Sequence, residues 1–539
     1  MSKRKATTSS SAKATKKPRA GVSTEELQED LAAFTLNGWS PLSHGYLAIM
    51  RDDSVLSRLN SSVIRRGFQD DALRIVLSCI DKDTWKYLAS IVNNSFNATL
   101  GEGTVSDSSV RFYKATNTNE LLRWYGAVMT LENIYGNSTK SITNNLSSIA
   151  FPTQRFHKIM TALAPKTTDF KIIYNRLRFA WKSNWVPGNY VAIDEAIYAY
   201  QPCKKTKKKW EIKLRDPIPV VYIPRKPHKN GLLCYKMCTR SQKTGLPYQL
   251  DLEPFDQFPQ ITARDALKRM VSRWSYTHKP IYVADAAFGS IDTLEYINDK
   301  EAHAVLCTSI GSMGYMYRLL RRGTDLNNWN GAMNSDGFIA SVRTTIKSNN
   351  ADDHSFEYDE EGQVRNSSFK SHFVLTNLYK GKRWKQVIPE SKGPVYSTEW
   401  CMKQTSKVLK EELTKHGLRA NGTKSDMTRK LIACCNTQKS QRNMILERLE
   451  ANNFKSDAKP HDVYRRHFNS VDLHDARWYD FHYQYALNNW RSKMMLSILT
   501  DAITNSWVIM NEMVKTDHCQ FRSIVAKKLL KADLSRYEN

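Results

Sequence analysis

Apolar positions recur at no fixed interval over the first twenty or so residues, and then the chain changes character at about Thr24. From there to about Leu177, apolar residues return every three or four positions. TEELQEDLAAF, DALRIVLSCI, DTWKYLASIV and NELLRWYGAVMTLENIY are examples. That interval lays one apolar stripe along a helix, and short Gly, Ser and Asn-rich breaks separate the segments. The pattern predicts an all-α region over residues 23–180, suited to DNA binding or to dimerisation.

At Asn189 the pattern shortens. Tyr190–Tyr200 (YVAIDEAIYAY), Pro219–Ile223 (PVVYI) and Leu232–Cys238 (LLCYKMC) are short runs of β-branched and aromatic residues, and they read as strands. A helical segment over Ala263–Trp274 and another apolar strand at Ile281–Ala284 follow, so residues 181–310 read as an α/β core. Strand candidates at Phe338–Ile346 and Phe369–Thr376 make 311–395 a β-rich insertion, with the acidic stretch 352–362 between them as a solvated loop. Helical spacing returns within 396–450. It returns again from Val471 to about Val514, where Trp490, Met494, Ile498 and Ala502 trace one apolar face. Residues 451–515 then form a second part of the core, and 516–539 read as a basic C-terminal tail.

Charge adds the first functional information. Lys and Arg total 80 against 53 Asp and Glu, a net charge of +27, which favours a polyanionic partner, most simply nucleic acid. Apolar residues at 41% are enough for packed cores, and 539 residues exceed what one core covers, so several domains are expected. No uncharged apolar run is long enough to span a bilayer, so no membrane partner is expected, and the N-terminus lacks the apolar segment of a secretory signal. The nine cysteines show no framework. Their closest pairs, Cys234/Cys238 and Cys434/Cys435, lack zinc-ribbon spacing, so reduced intracellular thiols are expected. Residues 1–22 carry two basic clusters, Lys3-Arg4-Lys5 and Lys16-Lys17-Pro18-Arg19, in a polar segment that cannot bury a core. They suit a bipartite nuclear localisation signal, a DNA-binding arm, or both.

Two aspartates end apolar strand runs: Asp194 after Val191-Ala192-Ile193, and Asp285 after Ile281-Tyr282-Val283-Ala284. A third, Asp472, begins a helix, with Asp475 three positions on and so on the same face. Each alone is equally a turn residue or a helix-start acid. As a set on a basic chain they offer what two-metal phosphoryl transfer needs. Their oxygen ligands suit two Mg²⁺ or Mn²⁺ ions about 3.5–4 Å apart. No cysteine or histidine cluster competes for the role, and His474 stands alone between Asp472 and Asp475.

These segments resemble the piggyBac transposase family from roughly residue 110 to 515. YVAIDEAIYAY with VVYIPRKPHKNGLLCYKMC and TGLPY, within 190–248, is similar to its most specific block. Asp285-Ala286-Ala287-Phe288-Gly289-Ser290 is similar to its Asp-Asn-x-Phe-x-Ser. Val463-Tyr464 and Val471-Asp472 with Asp475 are similar to its third motif, and Trp490 falls where the family places a tryptophan. The resemblance implies an α/β fold with a ribonuclease-H-like catalytic core split by an insertion. It implies Asp194, Asp285 and Asp472 as catalytic metal ligands, with Asp475 as an auxiliary metal acid. It also implies cut-and-paste transposition through hairpin ends at TTAA, with double-stranded DNA as partner, a homodimer and a nuclear location. In the implied reaction a water, then a DNA 3′-hydroxyl, attacks phosphorus. Ala286 stands where the family has Asn, and Asn469-Ser470 where it has Gly-Gly. The family's cysteine-rich zinc block has no counterpart within these residues.

The interval between Asp285 and Asp472 is longer than is typical of that family. Within it, Ser406–Ala433 (SKVLKEELTKHGLRANGTKSDMTRKLIA) resembles a SAP motif, two helices joined by a tight Gly-containing link. Val408, Leu409, Leu413, Leu418, Met427 and Leu431 mark its apolar side, and Thr423 with Asp426 marks a helix start. The resemblance implies DNA contacts from Arg419, Lys424, Arg429 and Lys430. A second basic tract, Lys204–Lys229, includes Lys208, Lys209, Arg225, Lys226 and Lys229, which could track phosphates or form a solvated hairpin. Three readings stay open: an active transposase, a domesticated relative that binds DNA or chromatin without cutting it, and a nuclease that cuts without joining.

Overall fold

The structure is a computed structural model that describes residues 24–42, 48–49, 58–59, 72–135, 151–200, 220–224, 226, 229–254, 261–274, 279–309, 313–322, 324, 328–346, 369–380, 396–416, 418–435, 439–451, 459–479 and 489–534. The two basic clusters of residues 1–22, Lys208, Lys209, Arg225 and the acidic stretch 352–362 lie outside them. In chain order the strands are β1 (Ser40–Pro41), β2 (Ala48–Ile49), β3 (Arg58–Leu59), β4 (Trp185–Val186), β5 (Tyr190–Ala199), β6 (Val220–Tyr222), β7 (Asn230–Arg240), β8 (Pro247–Pro254), β9 (Ile281–Gly289), β10 (His303–Thr308), β11 (Trp329–Met333), β12 (Ile339–Ile346), β13 (Phe369–Thr376) and β14 (Tyr379–Lys380).

One mixed sheet of ten strands dominates, in the order β1-β11-β12-β13-β10-β9-β5-β7-β6, with β8 also on β7. Strands β8, β7 and β5 are antiparallel neighbours, and β9 and β10 continue parallel to β5. This is the α/β sheet of a ribonuclease-H-like core. Burial on both faces accounts for the near-continuous apolar runs in β5 and β7. Within 311–395, β11, β12 and β13 add to the same sheet, because β13 pairs antiparallel with β10.

Helices cover the sheet. Trp490–Met513 is buried along nearly its whole length, more than the single stripe in the sequence implied. Its polar residues are accommodated locally, since Ser497, Thr500, Thr504 and Ser506 each donate to the carbonyl one turn back. Asn505 also donates to the Gln249 carbonyl and accepts from its amide, tying the helix to β8.

Two expectations change. The N-terminal region is not all-α: β1 edges the main sheet, β2 pairs with β14 and β3 with β4. Two-residue strands are too short to carry a period. Of the expected tail over 516–539, the described residues to 534 are not a tail either, because His518–Leu530 is a packed helix with Phe521, Val525 and Leu529 buried. It lies against Thr118–Tyr135 so closely that a Cβ on Gly126 would stand 2.8 Å from the Leu529 side chain. Its lysines hid an apolar stripe at helical spacing.

Ser406–Lys415 and Lys424–Cys435 form a helical hairpin with its own small core of Leu409, Leu413, Leu418, Met427 and Leu431. Thr423 and Asp426 exchange hydrogen bonds at the second helix start (3.0 and 3.2 Å), and Gly422 takes φ +102 just before it.

Candidate active site

Asp194 and Asp285 lie within β5 and β9 rather than at strand ends. The two strands are parallel, with register pairs from Tyr190↔Ile281 to Ile193↔Ala284. The aspartates follow one step beyond the last pair and so share a face of the sheet. Asp472 occupies the first turn of the helix Ser470–Tyr479, where the helix dipole favours an anion. That helix packs on β5, β7 and β8.

Lys226 joins the acids. The turn after β6 is closed by Ile223 donating to the Lys229 carbonyl (2.8 Å) and by Lys226 donating to that of Ile223 (3.2 Å). From it the Lys226 ammonium donates to Asp472 Oδ1 at 3.0 Å and to the Glu195 carbonyl at 2.8 Å, and lies 4.0 Å from Asp194 Oδ2. Burial pushes the Asp194 carboxyl up to about 7, with Asp472 and Asp285 adding to the rise and Lys226 opposing it. Burial alone would lower Lys226, but Asp194 and Asp472 outweigh it and hold the ammonium above its ordinary range. Asp285 accepts from the Ala286 amide (2.7 Å) and from the Tyr464 hydroxyl (3.1 Å), which fixes its rotamer.

Asp475 faces elsewhere. It is buried and accepts from Lys236 Nζ at 2.9 Å. Arg240 donates to Asn469 and to Ser470 Oγ (3.0 Å), the pair standing where the resembled family has Gly-Gly. The helix start is thus gripped by side chains. Trp490 stacks on Phe170, with centroids 6.2 Å apart.

Of the other candidates, Lys229 is exposed at the turn. Lys226 is paired with Asp472 and Asp194. Arg419, Lys424, Arg429 and Lys430 lie on the helical hairpin, where two already face acids of the N-terminal helix: Lys430 lies 3.2 Å from Glu29 and Arg419 lies 4.0 Å from Glu25. Lys424 donates to the Met402 carbonyl at 2.7 Å, and Arg429 is exposed. Sequence reasoning missed Lys236 and Asp501. The signal for Lys236 was a lone charge inside the apolar run LLCYKMC.

Among the described residues no three His, Cys, Asp or Glu side chains are gathered closely enough to hold a metal ion as they stand. The Lys226 ammonium sits among the acids instead. The donors nonetheless fit a hard cation. All are carboxylate oxygens, and the buried Asp194 carries the strain of like charges that a cation relieves.

No family model matches the chain, and no curated protein matches it in sequence. Among solved structures it is similar to a piggyBac transposase synaptic complex with hairpin DNA, determined by cryo-EM. The TM-score is 0.56 at 12% identity, over 90% of this chain and 85% of that one. This chain has a piggyBac-like fold. At that identity the likeness is one of architecture. Among the described residues no helix is long and apolar enough to cross a membrane.

Proposed function

We propose that this chain is a nuclear, piggyBac-like DNA transposase that cuts and joins DNA strands by metal-dependent phosphoryl transfer, with TTAA as target. What supports this reading is that Asp194 and Asp285 follow matched register pairs on two parallel strands, and that Lys226 reaches both Asp194 and Asp472. A net charge of +27 suits the substrate. The core is contributed by 181–310 and 451–515, and residues 23–180 serve DNA binding and dimerisation. The hairpin within 396–450 acts as a SAP-like DNA contact.

Asp194, Asp285 and Asp472 would hold two Mg²⁺ or Mn²⁺ ions, with Asp475 behind them as an auxiliary acid. Such ions, when bound, supply Lewis-acid stabilisation of the attacking and leaving oxygens. The Tyr464 hydroxyl keeps Asp285 oriented. The Lys226 ammonium leaves the carboxylates for a backbone phosphate, and Lys229 with the basic tract ahead of it tracks the strand. A water is aligned first, and the freed DNA 3′-hydroxyl second.

The test is a gel assay on duplexes with TTAA-flanked ends in Mg²⁺ or Mn²⁺, with Asp472→Ala as the control. Metal-dependent nicks and joined products, both lost in the variant, are expected. Nicks without joined product indicate a nuclease only. The Lys226 ion pairs favour a second reading, a domesticated DNA- or chromatin-binding protein whose acids are neutralised from within. DNA binding with no nicking in either metal supports that reading.

A further inference from the structure

Lys236 is a lysine with no exposed surface, set in the middle of β7. Its ammonium donates to Asp475 Oδ1 at 2.9 Å and to Asp501 Oδ1 at 2.8 Å. Asp501 is fully buried on the helix Trp490–Met513 and also accepts from the Tyr198 hydroxyl of β5. One cation therefore ties together two strands and two helices.

Its place matters. Lys236 is the register partner of Asp194 across the antiparallel pair β5–β7. Asp475 is one turn along the helix from Asp472. The ammonium thus fixes the Asp472 helix against the sheet beside the strand position that carries Asp194. Four residues along β7 and on the same side, Arg240 holds the beginning of that helix through Asn469 and Ser470. Apolar contact alone lets a helix slide or rotate on a sheet, whereas two directed hydrogen bonds from a buried cation do not. A buried ion network is weak as a source of stability and better suited to fixing one arrangement.

We infer that Lys236 is a positioning residue of the catalytic site: acting through Asp475 and Asp501, it sets where Asp472 stands relative to Asp194. The inference rests on the proposed cation site, and makes Asp475 an anchor of the helix first.

The test pairs Lys236→Met with Asp501→Leu, removing one positive and one negative charge so that the net field is little changed. Two readouts are taken: Mn²⁺ affinity by calorimetric titration, and amide exchange over residues 470–479. A cooperatively folded variant of lower thermal stability, because Asp475 stays buried without its cation, is expected, with about 10–100-fold weaker Mn²⁺ binding and faster exchange confined to that helix. Mn²⁺ affinity and helix exchange both unchanged in the folded double variant overturn the inference. Tyr198→Phe, which removes only the hydroxyl bond to Asp501, is the second variant. A smaller shift in the same direction supports the inference and none counts against it. A wild-type protein that neither binds Mn²⁺ nor cuts DNA sinks the proposed function instead, and exchange over 470–479 still decides the role of Lys236.

Discussion

The ammonium of Lys226 lies 3.0 Å from the carboxylate of Asp472. With Asp194 at 4.0 Å, it stands where a metal ion would compete with it. Removing it by Lys226→Met has opposite effects on binding and on cutting. Mn²⁺ binding in a calorimetric titration tightens by roughly tenfold, about 1.4 kcal/mol, because a nearby like charge has gone. DNA cutting falls because a phosphate contact has gone. Weaker Mn²⁺ binding contradicts this account and makes Lys226 a scaffold for the acids.

Asp194 is held as a desolvated carboxyl crowded by Asp472 and Asp285. In the presence of a chelator, Asp194→Asn is expected to stabilise the fold by on the order of 1 kcal/mol at neutral pH while abolishing metal-dependent cutting, the trade-off of a strained functional residue. Thermal denaturation with and without Mn²⁺ checks it. The metal should raise the melting temperature of the wild type and leave the variant unchanged.

Two histidines, the half-buried His467 and the buried His518, predict acid sensitivity. Burial pushes His467 down to about 4 and His518 down to about 3, with Arg240 beside the first and Arg522 beside the second adding to the effect. Above about 6.5 both states of the chain carry neutral imidazoles, and nothing is lost. Below that value the unfolded chain takes up protons that the folded one refuses, so stability falls as pH drops from 6.5 toward 4. His518→Phe, which keeps a ring against Trp507, should flatten this dependence in denaturation curves at pH 7 and pH 5.

The C-terminal helix is part of the fold. A methyl at position 126 meets Leu529 and the Leu530 backbone at 2.8 Å. Gly126→Ala should cost about 1–3 kcal/mol through overpacking, read by urea denaturation. An unchanged midpoint means that the helix docks elsewhere.

On the helical hairpin, the exposed Arg429 and the paired Lys430 should behave differently. Arg429→Ala lowers DNA affinity for all sequences and reduces the slope of log affinity against log salt by about one. Lys430→Ala has less effect, because Glu29 already holds that ammonium at 3.2 Å. Fluorescence anisotropy across a salt series separates the two.

Much of this was legible because burial leaves local marks. The runs YVAIDEAIYAY and IYVADAAF announce buried strands, and a carboxylate inside such a run announces a cation or a partner. The capping pair Thr423 and Asp426 is likewise local. What stayed hidden depends on distant partners. Strand β8 did not read as a strand because Asp251 and Glu253 interrupt it, and both are matched by Arg178 and Arg273 from other segments. Lys236 was unread for the same reason, since its partners lie more than two hundred residues away in sequence. In the C-terminal helix a buried Arg522 looked like the mark of a basic tail.

The most direct test is a map of iron-generated hydroxyl-radical cuts in the polypeptide itself. Fe²⁺ put in place of the proposed metal should break the chain near Asp194, Asp285 and Asp472 together, and excess Mg²⁺ should suppress all three breaks. Breaks at one of these segments without the others, or at none, contradict a shared cation site.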